Sequence, residues 1–549
     1  MEPAATVLGH PEARDGESAI DLQEWVPLER SSFFGGEGEE SLGQAELEGE
    51  GSSSLSEEGE ESPGQGESLV ESIAEIISKM EPTRTEAVRA TRVHNALRCL
   101  ARPLRYRGDF YHLSQSTSRL DAFWSHSWHG SVSGKVATLF FLHNARAATT
   151  AGTGAAVVAC LAFGLGVLPD RDGDSWWCLS FGCIAYSLTM LLWRPRELVF
   201  VDRVCISQVD PKLQAEGTFS LGAILKRTDT LLVLWDPSWA RRLWCVYELA
   251  AFIRSRTPGE KPRIIIRPTI LGFIMGAAWF ALALGGFAFH WAHSIEVDSS
   301  SGLNDFALLF IGIACCGLFF WYIVHIAREY CREITIMYQH IRHFRVATAE
   351  SLCCAVNHRL SGSDEPIMCD REVMQKCINI WFGGIEAFEQ HVQSDLCDLL
   401  VDQLANHMVS YWRLAEASPV FFWFFLDIVA HHLCYFVKHV AEDGSFPWGI
   451  LRLFAGLSFW LGLVPILVRV MFRLAWAMQA KCACRLLDYF KSLFLLLPGV
   501  SIFGAFVFLD YFLTVHLPYD LGSLTFALIT IPLAALVWQS LPVPVPDRN

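Results

Sequence analysis

Long apolar runs separated by short polar links dominate the chain after residue 146. A helix crosses about 30 Å of hydrocarbon in about 20 residues. Eight stretches meet that requirement, at 147–168, 176–193, 268–291, 304–326, 418–437, 449–471, 492–514 and 523–540. The second and the eighth are short. The fifth contains Asp427, His431 and His432. Links 169–175, 292–303 and 515–522 carry only Arg171 as a base. The links on the other side carry Arg194 and Arg196, then Arg254, Arg256, Lys261, Arg263 and Arg267, then Arg328 and Arg332, then Arg469, Arg473, Lys481 and Arg485. That bias and the even number of spans place both termini in the cytosol. Which membrane the chain enters is not legible.

Around the first two spans the pattern changes from long apolar runs to short ones. Asp121-Ala-Phe-Trp-Ser-His-Ser reads as a strand, and Gly134 to Leu142 starts a helix. Glu197-Leu-Val-Phe-Val-Asp202 is a buried-type strand ending on an acid. Leu221, Ile224 and Leu225 suit a helix face, and Asp229-Thr-Leu-Leu-Val-Leu-Trp-Asp236 is a third strand. Arg242 to Ile253 is an amphipathic helix, and Arg263-Ile-Ile-Ile-Arg267 is a fourth strand. Strands alternating with helices predict a parallel sheet with right-handed crossovers. A two-span hairpin leaves and returns on the same side, so its insertion at 147–193 is compatible with one folded unit.

The predicted organisation is therefore an acidic tail over 1–80, an α/β unit from 81–145 and 194–268, the inserted hairpin 147–193, and a transmembrane pair over 268–326. A helical segment over 327–417, four transmembrane helices over 418–540 and a Pro-rich tail over 541–549 follow. In the helical segment, Ile334, Tyr338, Ile341 and Phe344 form one apolar line. Ile385, Phe388, Val392, Leu396 and Leu399 or Leu400 form another. These helices pack on each other or on the α/β unit, or they receive a partner helix.

Composition agrees with a membrane protein. Hydrophobic residues are 52% and charged residues 18%, against about 25% charged in ordinary soluble domains. The net charge of −15 is misleading. Residues 1–78 hold 20 acids and 2 Arg, or −18, which leaves the body at +3. No basic stripe exists to neutralise phosphates, so nucleic acid is not an expected partner. Ser31 to Ser78 has 13 Glu and no Lys or Arg, a composition too polar to offset its ordering entropy. At its end, Leu69, Val70, Ile73, Ile76, Ile77 and Met80 recur at helical spacing and predict a short amphipathic helix. The 17 Cys are scattered, which favours reduced thiols in a cytosolic setting. Neither Cys353-Cys354 nor Cys482-Ala-Cys484 has structural zinc spacing, so no metal is expected.

Certain residues, in order, resemble the TIR family. They are Asp121-Ala-Phe-Trp-Ser125, Phe200-Val-Asp202, Leu213 and Gly217, Leu221-Gly-Ala-Ile-Leu225, Leu231 to Pro237, and above all Arg242-Leu-Trp-Cys-Val-Tyr-Glu-Leu249. The whole chain looks like multipass TIR-like proteins of unicellular algae. The resemblance implies a flavodoxin-like parallel sheet, left incomplete because the chain enters the membrane after Arg267. It implies either of two activities. TIR domains of animal receptors self-associate through the loop after the second strand, here 203–220. Other TIR domains cleave NAD at the nicotinamide–ribose bond, and Glu248 inherits the position of their catalytic carboxylate. Asp202 and Gly217 inherit the loop over that site. Ser125, Trp244 and Cys245 complete the matched positions.

The first reading is signalling or assembly by self-association of a TIR-like unit fixed to a membrane bundle. A membrane-anchored NAD glycohydrolase using Glu248, with NAD as substrate and no bound cofactor, is the alternative. A channel or transporter is the third, because Asp427 and His431 lie four residues apart in one span, where ionisable groups are costly.

Overall fold

The computed structural model describes residues 63–106, 108–169, 175–257, 259–297, 303–355, 358, 369–408, 410–443, 448–518 and 521–542. Most of the acidic tail, residues 1–62, and the Pro-rich end, 543–549, lie outside the described residues.

The strands are β1 (Arg89–Arg92), β2 (Ser114–Ser116), β3 (Leu120–His126), β4 (Leu198–Phe200), β5 (Thr228–Trp235) and β6 (Ile264–Pro268). Their order in one sheet is β2-β1-β4-β3-β5-β6. β3 runs parallel to β4 and β5, and β5 parallel to β6. The four strands legible in the sequence thus form a parallel core in doubly wound order. The expected all-parallel sheet is corrected at one edge, where β1 pairs antiparallel with both β2 and β4. Arg-Ala-Thr-Arg and Ser-Gln-Ser are too short and polar to announce strands. They pair because β4 presents an open ladder of amides and carbonyls. β5 is buried along nearly its whole length, as expected for a strand covered on both faces.

The crossover from β3 to β4 is a helical hairpin, α1 (Val132–Gly164) and α2 (Trp177–Leu192). Lys135 near the start of α1 donates to the carbonyls of Ser127 and Gly130, just past β3. His143, two turns on, sits 3.0 Å from Glu197 at the start of β4. So α1 lies antiparallel to the strands and carries on beyond the amino-terminal edge of the sheet. α3 (Leu271–Val297) leaves β6 in the same direction. Its Gly272 meets the backbone of Ala137 and Thr138, where an added Cβ would lie 2.2 Å from Ala137. Thr138 Oγ1 donates to Thr269 O (2.8 Å) and accepts from Gly272 N (2.9 Å).

Each of the eight apolar stretches falls on helical chain. Among the described residues, six helical segments are long and apolar enough to cross a membrane: Val132–Gly164, Leu271–Trp291, part of Ile385–Lys438, Gly449–Ala477, Arg485–His516 and Leu521–Ser540. Trp177–Leu192 is apolar but shorter, and the stretch 304–326 lies on α4 (Leu303–Arg342). Leu497, Val500, Phe508 and Tyr511 are among many large side chains exposed on these helices, as expected where lipid replaces water. Inside the bundle, Gly152 of α1 and Gly182 of α2 hold the fully buried Trp423 between them. A Cβ on either glycine would stand 2.6 Å from its ring, the close approach that small residues allow between membrane helices.

The segment after α4 joins the α/β core. Ile334, Tyr338, Ile341 and Phe344 are buried with Phe388, Val392, Leu396 and Leu400 in one cluster with the sheet. Gln403, on the helix Cys397–Asn406, receives the amide of Ile266 (3.4 Å) and donates to Ile264 O (3.2 Å). It therefore blunts the edge of β6 that would otherwise stay open. The helix Asp370–Phe382 lies over the helix Leu243–Arg254, with Tyr247 and Trp381 rings 5.3 Å apart. The amphipathic pattern at the end of the tail becomes the helix Pro63–Ser78, whose Val70, Ile73, Ala74 and Ile77 enter the same core. The tail boundary at residue 80 thus moves back to about residue 63 in structural terms.

Arg328 of α4 is fully buried. It donates to Met478 O, Ala480 O, Asp488 O, Ser492 Oγ and Asp488 Oδ1, the last at 2.8 Å. It ties α4 to the turn between the helices Gly449–Ala477 and Arg485–His516 and to the start of the latter. Removing Arg328 takes the nearest cation from Asp488, which keeps Cys482 N (3.3 Å) and the more distant Arg332 (4.0 Å), and strips one donor from each of three carbonyls. Arg328→Leu is expected to cost about 1–3 kcal/mol, read as a fall in the thermal midpoint of the detergent-purified protein. An unchanged midpoint would remove this residue from the stability of the bundle.

Candidate functional site

The carboxyl ends of β3 and β5 meet at the point where the strand order reverses, the place where doubly wound sheets open a crevice. His126, Trp128, Asp202, Arg242, Trp244, Cys245 and Glu248 line a cleft there. Four of the residues singled out from sequence, Asp202, Trp244, Cys245 and Glu248, are brought together although 42 residues separate the first from the second. Because α1 and α3 depart from the opposite edge, the cleft faces away from the membrane bundle.

Each wall has a local cause. The helix Leu243–Arg254 is apolar and buried around most of its surface. Cys245 Sγ donates to His126 O at 3.7 Å, and Trp244 Nε1 donates to Asp370 Oδ2 at 3.2 Å. Glu248, one turn on from Trp244, is only 7% exposed. Asp202 begins a single helical turn, Asp202–Cys205. Its Oδ2 accepts from Trp128 Nε1 at 3.1 Å, and the Arg203 guanidinium lies 4.6 Å over the Trp128 ring. Trp128 is thereby fixed as one wall of the cleft. The interior holds about 20 Å³, room for one or two waters. A sugar or an aromatic ring enters only if the lining side chains move apart.

The loop after β3 is held tightly. Ser127 and Ser238 hydroxyls are 2.7 Å apart, and Ser238 donates from both its amide and its hydroxyl to Asp236 Oδ1. Asp236 Oδ2 is buried with no hydrogen-bond partner among the described residues. A Cβ on Gly130 would fall 2.2 Å from that oxygen, so only glycine lets the loop pass. Sequence reasoning missed Trp128, Arg242, Lys135 and Asp236 as site-forming residues. The one available signal was their position at the ends of predicted strands and at the start of a predicted helix.

Ser125 and Gly217 lie elsewhere. Ser125 is fully buried in β3 and accepts from Trp239 Nε1 at 3.1 Å, a core contact. Gly217 sits in the helix Pro211–Phe219 against Ile206. The predicted loop over 203–220 is mostly helix, with Gln214 to Ser220 buried. The exposed part is a short turn at 209–212. Asp210 caps the following helix through Lys212 N (2.9 Å) and Leu213 N (3.2 Å), so the helical start was encoded in Asp-Pro.

The intramembrane polar pair also separates. Asp427 is 2% exposed and accepts from Ser175 Oγ (2.7 Å), Cys178 N and Leu179 N (both 2.9 Å), with His290 Nε2 at 3.5 Å. It caps the amino terminus of α2 from another helix, satisfying amides that lipid leaves bare. His431 is on the exposed side of the same helix, its ring 5.6 Å from that of His432.

Burial holds the His126 imidazole down to about pKa 4, against the pull of the Asp202 carboxylate. It is neutral at pH 7. Its Nδ1 lies 3.3 Å from Trp124 O, which assigns the proton to Nδ1 and leaves Nε2 a bare acceptor. Burial with the Arg242 cation also lowers the pKa of His129.

A histidine with this depressed pKa takes up a proton on unfolding between about pH 6.5 and pH 4. Its contribution is complete above pH 6.5 and is lost as pH falls through about 4, a change on the order of 3 kcal/mol. Thermal midpoints at pH 7, 5.5 and 4 are expected to fall more steeply in wild type than in His126→Gln. Parallel slopes would show that the imidazole titrates normally. Asp427→Leu is expected to cost about 1–3 kcal/mol for each amide left bare and so to lower the midpoint at every pH.

No known protein family, no characterised protein and no solved structure matches the chain. Function rests on the cleft and on what the residues in it can do.

Proposed function

We propose that this is a multipass membrane protein with eight spans, and that its TIR-like unit faces the cytosol and takes a nucleotide-type ligand in the cleft. NAD is the ligand that the resemblance implies, with Glu248 acting at the ribose. The observation that carries this reading is the burial of the Glu248 carboxylate beside His126, Asp202 and Arg242 at the switch point of the sheet. The Lys/Arg bias of the links supports the orientation.

The chemistry needs little from the protein. Nicotinamide leaves with the electron pair of the C–N bond and thereby loses its ring cation, so no acid is required. Positive charge builds on the ribose as an oxocarbenium-like centre, which a buried carboxylate stabilises strongly in a site of low polarity. Water then adds to the anomeric carbon and gives its proton to an acceptor. The products are nicotinamide, ADP-ribose and one proton. The lining side chains must move for the ring to enter, so turnover is gated by the walls of the cleft.

Self-association is the second reading, favoured by one observation. Val209 is 72% exposed. It projects from a turn held by Ser207 Oγ, which accepts from Asp210 N at 3.1 Å, and by the Asp210 cap. Transport has less support, since Asp427 is engaged as a helix cap.

The test is nicotinamide release from NAD by the full chain in detergent. Wild type is expected to turn over, and Glu248→Gln to lose at least about 100-fold in rate, the usual effect of removing an electrostatic stabiliser. No turnover by wild type at concentrations where it cross-links to itself would end the enzyme reading. Loss of that cross-linking in Val209→Glu would then put assembly first.

A further inference from the structure

Outside the cleft, the fold gathers a second group of chemically active side chains. Cys353 and Cys354 lie on the short helix Leu352–Ala355, and Cys369 directly precedes the helix Asp370–Phe382. The Sγ atoms of Cys353 and Cys354 are 3.8 Å apart, those of Cys354 and Cys369 3.8 Å, and those of Cys353 and Cys369 4.0 Å. His358 joins them: a ring nitrogen of His358 and the sulfurs of Cys353 and Cys369 all fall within 4.8 Å of one another. Its amide donates to Cys353 O at 2.8 Å, which folds the chain back over the thiols.

We propose that Cys353, Cys354, His358 and Cys369 bind one zinc ion. Three sulfurs at the corners of a tetrahedron around zinc, with Zn–S bonds of about 2.3 Å, stand about 3.8 Å apart. The observed separations match that edge and are far longer than the about 2.05 Å of a disulfide. Three soft thiolates and an imidazole select zinc over magnesium or calcium, which take oxygen ligands. Binding converts the three thiols to thiolates and releases their protons. The resulting site has net charge −1, and its surroundings offset it. Arg371 Nε donates to Cys354 Sγ at 3.4 Å and the Ser351 hydroxyl lies 2.9 Å from Cys353 Sγ. Arg371 is itself fixed through the carbonyls of Ala347 and Ala349, the kind of outer support that orients metal ligands.

The site is placed to brace the cleft. One residue before Ser351, Glu350 pairs through its backbone with Arg241 O (2.7 Å) and Leu243 N (3.0 Å), at the start of the helix that carries Trp244 and Glu248. Immediately after Cys369, Asp370 receives Trp244 Nε1. A metal joining Cys353 to Cys369 therefore fixes both segments that hold Trp244, through residues far apart in the chain. Sequence spacing argued against zinc because the four ligands are split, two adjacent and two distant. Only the fold closes the group.

The experiment uses full-length protein without a polyhistidine tag, expressed with zinc and purified in detergent with reductant and no chelator. Elemental analysis is expected to find about one zinc per chain, falling at least tenfold in Cys353→Ser/Cys369→Ser and unchanged in Cys482→Ser. Cobalt exchanged for zinc is expected to show the visible absorption of a tetrahedral thiolate site. If the double variant fails to fold, wild type alone decides: Cys353, Cys354 and Cys369 should resist alkylation until a chelator is added. Absence of zinc with all three thiols freely alkylated overturns the proposal. So does a disulfide among them, or zinc retained in a folded double variant.

Discussion

One uninterrupted helix, Val132–Gly164, joins the sheet to the helices apolar enough to span a membrane, and the rest of the structure is arranged around it. Its first turns are the crossover that a parallel strand pair requires, and they hold the loop after β3 through Lys135. Its later turns lie among apolar helices, where every backbone amide must be paired within the segment. A helix meets both demands without a joint. The sheet and the apolar helices are thereby joined through one continuous helix, and its direction settles the edge of the sheet from which they depart. The cleft must then open on the other side.

The same economy explains the edges. A parallel sheet that ends where the chain dives away leaves a strand unpaired, and β6 is such a strand. Gln403 closes it with a side chain that mimics a peptide group, accepting from Ile266 N and donating to Ile264 O. At the other edge two short polar strands, β1 and β2, do the work, their ladder reinforced by the Arg89 side chain on Ser114. The helices after α4 thereby take the place of the strand and helix that would otherwise finish a doubly wound domain. Their Asp370 and Trp381 reach the helix that lines the cleft.

Much of this was legible in the residues. The four parallel strands are continuous apolar runs, as buried strands must be, and all four lie where the pattern placed them. Trp244, Cys245, Glu248 and Asp202 were readable as a group through their order along the chain. Other features had no sequence signal. Ser125 sits at a matched position, yet β3 turns its hydroxyl into the core toward Trp239. Asp427 looked like half of a polar pair with His431. It is instead a cap for α2, because a carboxylate on a neighbouring helix reaches amides that no local residue satisfies.

Periodicity, composition and charge bias are local quantities, and they determined local things: helices apolar enough to span a membrane, the strands, the amphipathic start at Val70, and the absence of a basic stripe. Distances between residues far apart in sequence depend on packing, which no local pattern encodes. Tertiary structure alone decided that Trp128 meets Asp202 in the cleft wall, that Gly130 must pass beside Asp236, and that Cys369 returns to within 4 Å of Cys353. The reason is the same in each case. A close-packed interior selects one arrangement from the many that the pattern permits, and the chemistry follows from that selection.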